Sequence, residues 1–166
     1  SADGVAGEKT RTCSICQATE TRATEVYVSE NGNDGNGGTN IADSVATLSR
    51  AYALLGDDGG TIYVSGTVAV DSNATNGSTK VFAEPAHSAE IRILGLDEDG
   101  ALNISGTYSL AGKTVFDHIA LTAENCSFDA EHGHLTIRDT VTMSGKANVT
   151  GSAALCTGIY GTINGG

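Results

Sequence analysis

Apolar residues recur at two different spacings along this chain, and the change of spacing divides it. Val45, Leu48, Tyr52 and Leu55 advance in steps of three and four, with Ala51 filling between them, which is the signature of one helical face. Asp43 or Ser44 can cap the start, and Gly56 stands where a left-handed residue ends a helix, so the pattern predicts a helix over 43–55. Beyond it the step falls to two. Ile62, Val64, Val68 and Val70 keep even spacing, as do Ile91 and Ile93, Leu102 and Ile104, and Leu135, Ile137, Val141 and Met143. Such alternation predicts short strands with one buried face. Ahead of the helix, Val26-Tyr27-Val28 is a brief β-prone run, and residues 31–40 are all Gly, Asn, Asp or Thr, which predicts a loop.

Three features predict that the strands stack rather than fold back as hairpins. Asn-Gly turn signals between runs of equal length are scarce, and Asn76-Gly77 lies in a polar insertion. Similar segments return at coil-like intervals: residues 114–121 are echoed about 20 residues on by His134-Leu135-Thr136-Ile137, and Leu135 again at Ile159. Runs also end in Ser65-Gly66, Ser105-Gly106, Ala111-Gly112 and Ser144-Gly145, as corners of a winding coil would. A period of roughly 20–25 residues without a helix in each repeat predicts an all-β parallel β-helix of about four rungs. An antiparallel sandwich is the alternative. The helix before the first rung then serves as a cap over apolar interior and open strand edges. No comparable cap follows Met143, so the pattern predicts a chain truncated at its C-terminus that self-associates through that end.

Composition narrows the function classes. With 166 residues the chain makes about one domain, and 20 acidic against nine basic residues give a net charge of −11. That field repels phosphate backbones, so no nucleic-acid partner is expected. No apolar run approaches the ~18 residues of a membrane span, so no membrane insertion is expected. The 39% hydrophobic content argues against disorder and the 17% charged content against a coiled coil. Residues 1–24 are rich in Thr, Ala and charge and read as a linker or the tail of a preceding module, with 25–166 the N-terminal part of the β-helix domain. No basic and apolar leader pattern opens the chain, which reads as an internal piece of something longer.

Cys13 and Cys16 have the C-x2-C spacing of half a zinc site, but His87, His118, His132 and His134 lie far downstream, so a stranded half-site or a small disulfide loop is the plainer reading. Cys126 and Cys156 fall in apolar stretches and read as buried free thiols.

A family resemblance rests on three segments: Tyr27-Val28-Ser29-Glu30-Asn31-Gly32-Asn33-Asp34 with Gly38-Thr39, Val45-Ala46-Thr47-Leu48-Ser49-Arg50-Ala51, and Gly59-Gly60-Thr61-Ile62-Tyr63-Val64-Ser65-Gly66-Thr67. Together they resemble the entry of right-handed parallel β-helix domains of the pectin-lyase-like superfamily. There a strand and Gly/Asp loop lead into a capping helix with an A-T-L-x-x-A core, and a G-G-T-I-Y-V strand opens the first rung. The proline common before that helix is replaced by Ser44-Val45. Later segments, Thr114–Leu121 and Gly133–Met143, look like coils of large surface proteins of anaerobic Gram-positive bacteria. Residues 3–22 resemble the second half of small modules ending in T-C-x-x-C-G, with Gln17 in place of the glycine. The resemblance implies a secreted, multidomain, surface-associated protein.

Catalytic members of that superfamily carry carboxylates on one outer face, with calcium and a basic residue in lyases and an aspartate cluster in hydrolases. The candidates here are few. Asp97, Glu98 and Asp99, between Gly95 and Gly100, read as a solvated turn. Asp117-His118 follows Val115, which alternation predicts to face inward with Ile119. Asp117 should then share that direction, unless the register breaks there or its carboxylate bonds to nearby backbone, and His118 should face out. Glu131, His132 and His134 have an H-x-H spacing without a third ligand and read as a turn. Arg92, Arg138 and Asp139 read as outward solubilising positions. Sequons at Asn73, Asn76, Asn103, Asn125 and Asn148 fit chance in a chain rich in Thr and Ser. The 31–40 loop lacks the order and terminal Glu of a calcium loop.

No catalytic, cofactor-binding or metal-ligating residue is therefore assigned, and no cofactor is expected. The expected function is a non-catalytic extracellular adhesion or surface module contacting polysaccharide or cell-surface glycan through stacked Thr, Ser and Asn. Two alternatives stand: the front of a polysaccharide lyase or glycoside hydrolase with active rungs beyond residue 166, and a pure structural spacer.

Overall fold

A computed structural model describes residues 7–12, 14–15, 19–70, 90–109, 113–138, 140–155 and 162–165. These residues are mostly β, with one α-helix. The strands are β1 (Glu8–Thr12), β2 (Thr19–Ala23), β3 (Glu25–Ser29), β4 (Gly60–Ser65), β5 (Thr67–Val70), β6 (Glu90–Gly95), β7 (Ala101–Ser109), β8 (Lys113–Asp117), β9 (Ala120–Ile137), β10 (Thr142–Leu155) and β11 (Thr162–Gly165). The helix, α1, spans Leu48–Leu55. No helix among the described residues is long and apolar enough to cross a membrane. Within the stretch read as a linker, β1 and β2 pair with each other antiparallel.

All other pairings are parallel, and they fall into three runs. In the first, β3, β4, β6 and β8 are followed by residues 134–137 of β9 and 153–155 of β10. In the second, β5 lies beside 101–104 of β7, then 120–123 of β9, then 142–145 of β10. The third joins 106–109 of β7 to 126–129 of β9 and 147–150 of β10, set off from the second by register shifts at Ser105/Gly106 and Gly145/Ala147. From β7 onward the chain visits the runs in turn: the second and third in β7, the first in β8, then the second, third and first again along β9 and along β10. Parallel neighbours require this, since they cannot be joined by a tight hairpin.

Apolar residues line up from strand to strand. Val26, Ile62, Ile93, Phe116 and Ile137 form one inward column, and Leu102, Leu121 and Met143 another. Both columns and Cys126 belong to one buried cluster. Burial pushes the free Cys126 thiol up to about 12, so it behaves as a small apolar side chain.

Three expectations are corrected. First, Val115, although buried at 5% exposure, does not face the inward cluster. Phe116 does, because it stands opposite Ile93 and Ile137, while Val115 stands opposite Arg92 and Thr136. Two consecutive apolar residues left the face ambiguous, and matching the neighbouring strands decided it. Asp117 therefore follows Val115 outward. Second, the circuit after Leu135 is shorter than the 24-residue echo suggests, because Leu135 stands opposite Ala153; Ile159 lies outside the described residues.

Third, the helix starts at Leu48 and not at 43. Thr47 is its cap, its hydroxyl accepting from the Arg50 N–H at 3.1 Å, while residues 41–43 form a separate 3-10 turn capped by Asn40. Ser44–Ala46 stay extended because Val45 closes the outer edge of β3: its N–H donates to Tyr27 O at 2.9 Å and its carbonyl accepts from Ser29 N at 3.0 Å. An open edge would otherwise offer unpaired backbone groups. Asp34 fixes this entry, accepting from the Ala46 and Thr47 N–H groups at 2.9 and 3.0 Å and from the Thr47 hydroxyl at 2.8 Å. Gly56 ends the helix with φ +64, as expected of a glycine there. Leu48, Ala51, Tyr52 and Leu55 are buried beneath the helix in the shared core.

Candidate functional site

Where the first run ends, successive strands turn at the same level and stack their turn residues into a polar corner. Ser29 stands opposite Ser65, and Val64 opposite Gly95. Glu30, Gly66 and the exposed turn Asp97-Glu98-Asp99 follow these strand ends. Gly66 is required here: its φ is +69, and a Cβ would lie 2.7 Å from the Glu30 Cδ. The Thr67 N–H donates to Glu30 Oε2 at 3.3 Å and the Ser65 hydroxyl to Asp97 Oδ2 at 2.9 Å. Between these turns and the loop opens a groove of about 590 Å³, lined in part by Glu30, Asn31, Asn36, Thr67, Asp97 and Asp99. A second groove of about 490 Å³ shares Asp97 and continues along the corner past Glu98, His118, Thr140 and Thr142.

His118 lines the second groove, and Asp117 lies beside it. Asp117 is 9% exposed, and its Oδ1 lies 2.7 Å from His118 Nδ1 and accepts from the Thr140 hydroxyl at 2.6 Å. The Thr140 oxygen in turn accepts from the His118 N–H at 3.0 Å, and Arg138 Nε lies 3.8 Å from Asp117 Oδ2. His118 has φ +44, the one positive value at a non-glycine among the described residues. The chain turns a corner there, so its side chain, 66% exposed, faces out as expected.

Burial pushes the Asp117 carboxyl up, but the Thr140 hydroxyl, the His118 hydrogen bond and the nearby His118 and Arg138 charges outweigh it and hold it below the ordinary carboxylate value. A carboxyl lowered on folding adds stability that is present above its unfolded value and is lost as pH falls through the folded one. Asp117→Asn is therefore expected to cost about 1–3 kcal/mol at pH 7 and less below about pH 4. Urea unfolding at pH 7 and pH 3 measures this, and an equal loss at both would contradict the account.

The other candidates separate. Asp43 is held below its ordinary value by the Thr39 hydroxyl, then by the Gly37 and Thr39 N–H groups, and Asp34 serves the helix entry, so the loop turns these carboxylates on its own backbone. Arg92 is half-buried on the outer face of β6, and Arg138 is exposed. His134 is exposed on β9, whereas the side chains of Glu131, His132 and Asn125 lie outside the description. Cys13, Cys16, Cys156, Asn73, Asn76, His87 and Asp139 also lie outside the described residues. No group of three or more metal-binding side chains occurs among the described residues.

A second exposed feature is the outer face of the second run. Ala69, Asn103, Thr122 and Ser144 stack in one column, and Thr67, Ala101, Ala120 and Thr142 in the next. Asn103, Thr67, Thr142 and Ser144 are exposed, and the Ser144 hydroxyl donates to Thr122 Oγ1 at 3.2 Å. Sequence reasoning foresaw stacked small polar residues but not the place of Thr140, which signals itself only by standing one circuit after His118. Comparison with protein-family models, with curated proteins and with solved structures finds no match to this chain.

Proposed function

We propose that residues 25–166 are part of a right-handed parallel β-helix of the pectin-lyase-like kind, serving as an extracellular surface module that contacts glycan. The observation that carries this reading is the return of the chain through the same three parallel runs, with apolar columns inward and Asn103, Thr122 and Ser144 aligned outward. Right-handedness follows from the strong preference of parallel crossovers for that hand. The extracellular assignment rests on the resemblance of residues 25–67 to the entry of such domains. Stacked hydroxyl and amide groups about 4.8 Å apart offer a polysaccharide repeated hydrogen bonds at low conformational cost.

A panel of neutral and acidic polysaccharides presented to the protein tests this reading. Binding to at least one neutral glycan is expected, and Asn103→Ala with Ser144→Ala should weaken it tenfold or more, at about 1 kcal/mol for each lost bond. Both side chains are exposed, so the melting midpoint should hold. Binding that ignores both substitutions, or no binding to any glycan, would overturn the reading.

A further inference from the structure

We infer that Asp117 and His118 form a general-base pair that activates water in the second corner groove for the hydrolysis of neutral or cationic esters. This goes beyond the glycan-contacting reading and uses a groove that borders that surface at Thr142. Three observations converge on it. The Asp117 carboxylate, buried and fixed by Thr140, holds His118 Nδ1 at 2.7 Å, which sets the proton on Nδ1 and leaves Nε2 with its lone pair. Nε2 has no partner among the described residues, and the exposed imidazole lines a groove of about 490 Å³. Finally, the backbone at His118 holds φ +44, a left-handed corner that turns its side chain out over the groove, while the Thr140 oxygen accepts its N–H.

The chemistry balances with no other reagent. Nε2 takes a proton from water as the water oxygen bonds to the acyl carbon. The imidazolium formed lies against the Asp117 carboxylate. The bond from acyl carbon to alkoxy oxygen then breaks, and Nε2 returns the proton to the leaving oxygen, giving a carboxylic acid and an alcohol. His118 is the catalytic residue and Asp117 the positioning residue. Asp97 and Glu98 on the groove wall set the preference, because their charge disfavours an anionic ester.

Hydrolysis of p-nitrophenyl acetate by the protein, compared with free imidazole at equal concentration, tests the inference. A second-order rate at least tenfold above imidazole is expected, and a p-nitrophenyl ester bearing a carboxylate should react more slowly than the neutral one relative to the same reference. His118→Asn should abolish the excess while keeping the fold, since Asn accepts positive φ; an unchanged melting midpoint checks this. Asp117→Asn should lower the rate, and Asp117→Glu, which keeps a carboxylate beside the imidazole, should recover part of it at equal stability, which a merely structural role would not do. A rate no greater than that of imidazole, or one that survives His118→Asn, would overturn the inference.

Discussion

Replacing Phe116 by Ala is expected to destabilise the protein by about 3–5 kcal/mol, the range for emptying a large aromatic site in a closed core. Phe116 is fully buried and stands between Ile93 and Ile137 in the inward column. Neighbours on both sides belong to hydrogen-bonded strands, so they cannot collapse into the space without breaking ladder bonds. The midpoint of thermal unfolding should fall by on the order of 10 °C. Val115→Ala, one residue earlier, is expected to cost less, about 1–2 kcal/mol: Val115 is also buried, but it is smaller and lies outside the inward cluster. Equal or reversed losses in urea unfolding would show that the register is off by one residue.

Leu48→Asp is the second large effect, expected at about 4 kcal/mol or more. Two terms oppose each other. A carboxylate in the first turn of a helix gains at most about 1 kcal/mol from the helix dipole. Against this stand the loss of a buried leucine, about 2–3 kcal/mol, and the cost of an unpaired charge in an apolar site. Leu48 is 2% exposed and packs in the same cluster as Val26, Val28 and Ile62, so the second pair of terms wins. Ala53→Asp, on the exposed side of the helix, should cost only about 1 kcal/mol, from helix propensity and the dipole at the last turn. An unchanged melting midpoint for Leu48→Asp would show that the helix does not close this end of the stack.

The parallel arrangement was legible because its cause is local. Period-two runs separated by Gly, Ser and Asn, without hairpin turns of matched length, leave stacking as the way to pair every strand. The helix was legible from Leu48, Tyr52 and Leu55, but its start was not. Val45 fits the helical spacing equally well, and only the need of β3 for an edge partner pulls it out of the helix. Val115 and Phe116 were ambiguous for a similar reason: both are apolar, and the choice lies with Ile93 and Ile137 on other strands. The polar corner was the least legible part. Asp97 and His118 are far apart along the chain, and Thr140 becomes a partner of Asp117 only through the length of one circuit, which no local pattern states.

Inter-strand contacts by nuclear magnetic resonance test the stacking most directly. Parallel neighbours should give amide-to-α-proton contacts joining Ile93 with Phe116 and Phe116 with Ile137, and separately Leu102 with Leu121 and Leu121 with Met143, with no strong α-to-α contacts between those strands. Strong α-to-α contacts linking β6 with β8, or β7 with β9, would mean that adjacent strands run in opposite directions and would contradict the account.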